Sequence, residues 1–307
     1  MKSAALTLVD PTGEDLVKEP HAGPRPVSAG AASAGDGAEA AEREGRERME
    51  NLLRVVLLPA VTFALVLLGW TVMQKTLVPA FPDVPAVWNK AVEVFSDPFY
   101  VYGPNDMGIA WQVMYSLGRV LAGFGAAMAV GIPVGFLIGS SKTFERAWLP
   151  LINILRPVSP LAWLPIGLLI FRSVDPSAIF VIFITSIWPM ILNTAAGVKA
   201  IPQDYLNVAR VLNFNRREMV TRIYIPSTLP YMLTGMQLSL STAWMVIVAA
   251  EMLTGGIGIG FYIWDEWNNL SVPSIIVAIV IIGGVGIALE AVMNAVRRRY
   301  DYTMQEG

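Results

Sequence analysis

The sequence predicts an all-α, polytopic membrane protein, and three observations carry that expectation. Hydrophobic residues make up 54% of 307, charged residues only 15%, and mean hydropathy is +0.54, too apolar for an ordinary soluble domain. Uncharged runs near 52–73, 115–139, 153–171, 176–197, 228–252 and 272–293 are each long enough for the roughly 20 residues that cross a bilayer's hydrocarbon. Lys and Arg, finally, cluster in alternate connections between those runs, as insertion topology demands. The same composition excludes other classes. A net charge of −2 gives no argument for nucleic acid, and the absence of cysteine removes disulfides, thiolate catalysis and zinc-thiolate sites. A single histidine, His21, rules out a histidine-rich metal site. No cofactor or metal is therefore expected in this chain.

Residues 1–50 are rich in Ala, Gly, Pro, Glu and Arg with little to bury, and are expected to be a disordered cytoplasmic tail. No apolar core follows the first Lys, so no cleaved leader is expected. Residues 51–300 form the membrane domain, and 301–307 a short cytoplasmic tail. With the N-terminus inside, 18 basic residues fall in inner segments: seven up to the start of the first run, Lys142, Arg146, Arg156, five from Lys199 to Arg222, and Arg297–Arg299. Outer segments hold only Lys75, Lys90 and Arg172. Both termini and the 198–226 connection are thus expected in the cytoplasm of a multi-pass protein of the inner (plasma) membrane.

The second run carries Arg119 near its outer end, where it either snorkels to the interface or attracts an anion. Gly131, Gly135 and Gly139 then recur every four residues, a smooth ridge for close helix packing in the middle of the bundle. The third run, "LINILRPVSPLAWLPIGLLIF", contains Arg156 and prolines that free backbone carbonyls. Such carbonyls are tolerated at membrane depth only inside a bundle or beside a water-filled cavity, which makes Arg156, Pro157, Ser159, Pro160 and Trp163 candidates for a translocation path. In the fifth run Glu251 sits at or near membrane depth, a structural or gating partner or else a ligand group. Trp244 either lines the path or simply packs. Gly255, Gly256, Gly258 and Gly260 lack dinucleotide spacing and follow no strand; they are expected to mark an irregular outer mouth. Trp264, Asp265, Glu266 and Trp267 form an outer interfacial belt, either a docking surface or an anchor.

The connection from about 198 to 226 is charged yet helix-patterned. Pro202 suits a first helical position, Gln203 and Asp204 favour the first turn, and Leu206, Val208, Ala209 and Leu212 recur at helical spacing, which predicts a helix over about 202–212. Asn213 stands where a left-handed residue ends a helix. "RREMVTRI" gives a second short helix, stopped by Pro226. Two short, partly apolar helices in water need a partner, or else lie on lipid.

"NVARVLN" followed by "IYIP" resembles the cytoplasmic loop of ABC importer permeases, Glu-Ala-Ala, three residues, Gly, then Ile-x-Leu-Pro, with Asn207 where Glu is common and Asn213 in place of Gly. "LRPVSPLAWLPIGLLIF" and "VIVAAEMLTGGIGIGFYIWDEWNN" closely resemble the permease subunits of nitrate, nitrite and bicarbonate ABC importers, over about residues 55–295. The resemblance implies the type I importer fold of about six transmembrane helices with a coupling helix. It implies a second permease copy, two ATP-binding subunits that bind ATP and Mg, an extracytoplasmic anion-binding protein, and surrounding membrane lipid. Asp204, Tyr205, Asn207, Val208, Ala209, Arg210, Leu212, Asn213, Phe214 and Pro226 would then couple to the ATPase. Arg119, Arg156, Pro157, Ser159, Pro160, Trp163, Trp244 and Glu251 would line the path or gate, and Trp264–Trp267 would dock the binding protein. A chain without a GxxxxGK[ST] loop leaves ATP hydrolysis to the partners and is itself no enzyme. Nitrate or nitrite is the expected substrate, bicarbonate the second, cyanate or an alkanesulfonate the third. One gene product serving twice is the simplest dimer. Against other classes, no clear internal repeat suggests a secondary transporter, no charged ring a channel, and no convergent His, Cys or acid pairs an embedded enzyme.

Overall fold

The computed structural model describes residues 34–300, with side chains from residue 53. Helix α1 runs Ala34–Thr76, so the expected disordered stretch lies outside the described residues up to residue 33 and is helical from there. Ala, Glu and Arg favour a helix without anything to bury. The expected C-terminal tail, 301–307, also lies outside. Residues up to Leu67 form one unit and residues from Leu68 a second. The second unit holds the helices that position every candidate site.

There α2 (Val84–Ser96) is a short helix capped by the Asp83 carboxylate on the Ala86 N–H, 2.9 Å. It escapes a span count because it is only thirteen residues long. Helix α3 (Ile109–Ser140) is followed by α4 (Lys142–Leu155), a 3-10 turn (Pro160–Trp163), α5 (Leu164–Phe171) and α6 (Val174–Lys199). α4 and the 160–171 segment meet at 96°, so the third expected span is no straight helix but a pair broken at Arg156–Ser159. Next come α7 (Gln203–Val211), α8 (Arg216–Met219), a π turn (Val220–Tyr224) and α9 (Ile225–Thr254). Pro226 does not stop this helix, which runs from Arg216 to Thr254 as one 39-residue apolar element. A proline clashes with the carbonyl four residues back, and the wide turn just before Pro226, closed by Ile225 N–H to the Val220 carbonyl, opens the helix there. α10 (Ile259–Asn268) and α11 (Val272–Tyr300) complete the chain.

Among the described residues, five helices are long and apolar enough to cross a membrane, or up to six spans if the bent pair counts as one. The core is a slab of three: α3 on α6 and α6 on α9. Contacts of Gly123 with Ile182, Gly131 with Met190, Gly135 with Thr194 and Gly139 with Val198 keep one register, so α3 and α6 run parallel. The bent pair is the crossover that makes this possible. Gly197 against Thr228 and Gly235 against Asn193 set α9 antiparallel to α6. The expected glycine ridge is thus the seam of the slab. Added Cβ atoms at Gly135 and Gly139 would sit 2.6 Å from Thr194 and Val198, and carbonyls of α6 lie within 2.9 Å. Only glycine permits that approach.

Gly135→Val should destabilise the bundle by about 1–3 kcal/mol or more through overpacking. Gly118→Ala and Gly125→Ala, with open space at the Cβ, should be neutral. Thermal unfolding in detergent of the three variants checks this.

Candidate functional site

At the end of the slab opposite the 200–224 loop, Glu251 of α9 is wholly buried (0% exposed). A lone carboxylate there would be expelled or neutralised, so its partners decide its state. Arg119 of α3 donates from Nη1 to Glu251 Oε1 at 2.6 Å and to the Ile257 carbonyl at 2.6 Å. Its Nε reaches Asp175 Oδ1 of α6 at 2.8 Å. Ser116 Oγ lies 2.9 and 2.8 Å from the two Glu251 oxygens, and accepts from the Ile259 N–H at 2.9 Å. Gly260 N–H donates to Glu251 Oε2 at 3.0 Å, and Gly258 N–H to Gln112 Oε1 at 2.6 Å. One knot therefore ties α3, α6, α9 and the start of α10. Its charge count is one guanidinium between a buried carboxylate and the exposed Asp175.

Two expectations change here, and for Glu251 one of two alternatives fits. Arg119 does not snorkel: it is 7% exposed and points into the protein. The physical reason is the buried Glu251, which offers a better partner than the interface. Glu251 faces protein rather than water, so the structural-partner alternative fits its geometry. The glycine run lines no cavity at Gly258 and Gly260. Gly258 has φ +154°, and a Cβ there would meet the Glu251 carboxyl carbon at 2.3 Å; one at Gly260 would meet the Val248 carbonyl at 2.1 Å. These glycines let the backbone pass against the carboxylate, so that the Gly260 N–H reaches Glu251 and the Gly258 N–H reaches Gln112. Asp175, Ser116 and Gln112 escape sequence reading, although two unmatched opposite charges in different spans are a signal to pair them.

Midway along the slab lies a cavity of about 210 Å³. Arg156, Pro160 and Trp163 from the broken pair line it with Thr185 and Trp188 of α6 and Thr242 of α9. Arg156 thus stands at the bend, against the middle of α6, rather than in an inner connection. Arg156, Pro157 and Ser159 are all exposed at the break, and of the three only Arg156 is part of the lining. Trp244 is buried, its Nε1 donating to the Ile282 carbonyl at 3.0 Å, and it also lines a cavity of about 330 Å³ with Gln237, Ser241 and Glu290. The expected path residues therefore fall at three places, the knot, the mid-slab cavity and the Trp244 site.

The loop has its own small core of Ile201, Ala209 and Ile223, with Leu206, Phe214, Met219 and Tyr224 against it. α7 ends as expected at Asn213, φ +52°. Phe214 N–H reaches the Ala209 carbonyl at 3.0 Å and Asn213 N–H the Arg210 carbonyl at 3.1 Å, the double closure that favours a left-handed residue. Asn215 and Glu218 cap α8 reciprocally. Ala209 is fully buried inside the loop and contacts no partner surface, because its side chain faces Ile201 and Ile223. Phe214 is half-buried, under the Arg222 guanidinium 5.6 Å from its ring. Asp204, Tyr205, Asn207, Val208, Arg210 and Leu212 are exposed, and so is Val211, which sequence reading missed. Pro226 belongs to α9.

At the opposite end Trp264, Asp265 and Trp267 are exposed and Glu266 is half-buried. Asp265 and Glu266 line a cavity of about 560 Å³ with Asp106, Tyr100 and Tyr262. Burial, then the Asp106 carboxylate, push the Tyr100 phenol above its usual value.

Residues 131–302 match the family described as binding-protein-dependent transport system inner membrane component. The nitrate import permease protein NrtB of Synechocystis sp. is 43% identical over 235 residues, covering 76% of this chain and 86% of that protein. NrtB of Leptolyngbya laminosa is 45% identical over 243 residues, 79% and 87% of the two chains. The bicarbonate transport system permease protein CmpB of Synechocystis sp. is 42% identical over 227 residues, 73% and 81%. Among solved structures, an inward-facing MetNI methionine ABC transporter chain matches with TM-score 0.56 at 15% identity, over 62% of this chain and 95% of that one. That likeness concerns the fold alone.

Removing one member of the knot leaves a buried charge unpaired. Arg119→Leu or Glu251→Leu alone should each cost about 3–5 kcal/mol, and the double variant less than their sum. Unfolding midpoints of the four proteins in a double-mutant cycle measure the coupling.

Proposed function

The chain belongs to the family of binding-protein-dependent transport system inner membrane components, and we propose that it is the permease of an ATP-driven importer of nitrate, and of nitrite. The observation that carries the ATP-driven part is the outer face of α7. Tyr205, Val208, Val211 and Leu212 are 57, 56, 80 and 59% exposed on a loop held rigid by its own core. An apolar helix face on a folded, charged loop calls for a partner that covers it. The partner is an ATP-binding subunit, one on each of two permease copies, which binds ATP and Mg and performs the hydrolysis. Pairing of two identical chains follows the ordinary preference for symmetric dimers.

Charge supports the orientation: Arg210, Arg216, Arg217 and Arg222 favour a cytoplasmic loop, with both termini on the same side. The acidic and aromatic end bearing Trp264, Asp265, Glu266 and Trp267 then faces outward and receives the anion-binding protein. Nitrate is the favoured cargo because the relatives at 43 and 45% identity are named for nitrate import. Bicarbonate is the second reading, supported by CmpB at 42%.

Val208→Asp together with Val211→Asp should abolish copurification with the ATP-binding subunit while the permease remains folded. Retained association would contradict the docking face. Ala209→Glu is the wrong probe, because it breaks the loop's core. The function itself is tested by ATP hydrolysis of the reconstituted complex with its binding protein, titrated with nitrate, nitrite and bicarbonate. Stimulation by nitrate is expected; stimulation by bicarbonate alone would overturn the substrate.

A further inference from the structure

We propose that the mid-slab cavity is a passing site for a small, singly charged oxyanion, held by the Arg156 guanidinium and the Trp163 indole N–H. The proposal rests on the import reading and names where the cargo is held within the chain. Depth is the first argument. The lining residues Thr185 and Trp188 lie in the middle of α6, and Thr242 in the middle of α9. Broken backbone at such depth is tolerated where it lines a cavity, and Arg156 and Val158 of the break do so.

Charge is the second. Arg156 is the only ionisable residue of the lining, and among the described residues no carboxylate pairs with it. A guanidinium takes a planar oxyanion on two parallel N–H groups, a fit that a lysine does not reproduce. One positive charge neutralises a monoanion and leaves a dianion unbalanced. The cavity at the opposite end, by contrast, is lined by Asp106, Asp265 and Glu266 and no basic residue, and repels anions from resting there.

Donor supply is the third. The Trp163 Nε1 is buried with no acceptor in the protein. Buried donors are rarely left so, because each costs its full desolvation. The threonine hydroxyls are engaged: Thr185 donates to the Val181 carbonyl and Thr242 to the Leu238 carbonyl. The Arg156 guanidinium and the indole N–H groups of Trp163 and of Trp188, which also lines the cavity, are therefore the donors left for a guest. A volume of about 210 Å³ holds about seven waters, room for a four-atom oxyanion and part of its hydration.

The test uses the whole complex in vesicles, with ATP-binding subunits and binding protein, and nitrate and bicarbonate as separate probes. Wild type, Arg156→Gln, Arg156→Lys and Trp163→Phe are compared for anion flux and for ATP hydrolysed per anion moved. Arg156→Gln should lower flux about tenfold, the scale of one charge-assisted hydrogen bond, while anion-stimulated hydrolysis persists, so that ATP per anion rises. Arg156→Lys should recover part of the loss, and Trp163→Phe should raise the half-saturating anion concentration. Wild-type flux and half-saturation in both Arg156→Gln and Trp163→Phe would overturn the site and leave the import reading intact. Loss of bicarbonate flux in Arg156→Gln, from a wild type that moves bicarbonate only, would keep the site and overturn nitrate. A wild type that moves neither anion would overturn both. If Arg156→Gln fails to assemble, Trp163→Phe decides.

Discussion

A fully buried carboxylate is the constraint on which the rest of this structure depends. Glu251 is cut off from solvent, so the chain must bring it a cation, a hydroxyl and a backbone N–H, from Arg119, Ser116 and Gly260. Arg119 and Ser116 fix the start of α3, Asp175 fixes the start of α6 through the same guanidinium, and Gly258–Gly260 fold the chain back over the end of α9. The glycine run has no meaning as a nucleotide motif: at Gly258 a side chain would collide with that carboxylate, at Gly260 with the Val248 carbonyl, and Gly255 and Gly256 take positive φ.

The second constraint is the glycine seam, which brings α3 and α6 into parallel contact and forces the intervening chain to cross back. The crossover is the bent pair, and its break sets Arg156 at the edge of a cavity against the middle of α6. α9 is the element shared by all three places. It is continuous with α8 in the loop, lines the cavity with Thr242, and ends at Glu251. A displacement of the loop by a docked subunit therefore acts on a single helix that reaches both the cavity and the knot.

Much of this was legible in the sequence. Long uncharged runs marked the spans, because membrane depth tolerates little else. The 200–224 loop could be read closely, since Asp204 in a first turn and Asn213 at φ +52° follow local backbone rules. What could not be read depends on tertiary neighbours. The burial of Arg119 requires Glu251 and Asp175, 132 and 56 residues away in sequence. The direction of Ala209 is set by Ile201 and Ile223. Pro226 read as a stop because the π turn that accommodates it leaves no mark in composition. Trp244 supports packing and a path alike in the sequence, and which carbonyl its indole meets, that of Ile282, depends on a helix 38 residues away.

The central claim is that ATP acting at the loop drives an anion toward the loop's side of the membrane. Because the chain has no cysteine, a single Arg217→Cys label identifies which side the loop faces in vesicles of the assembled complex. Nitrate and binding protein are then enclosed in vesicles whose loop faces outward, and ATP is added to one side at a time. The account predicts nitrate release with ATP outside, on the loop's side, and none with ATP inside. Release without ATP, or only with ATP on the opposite side, would contradict it.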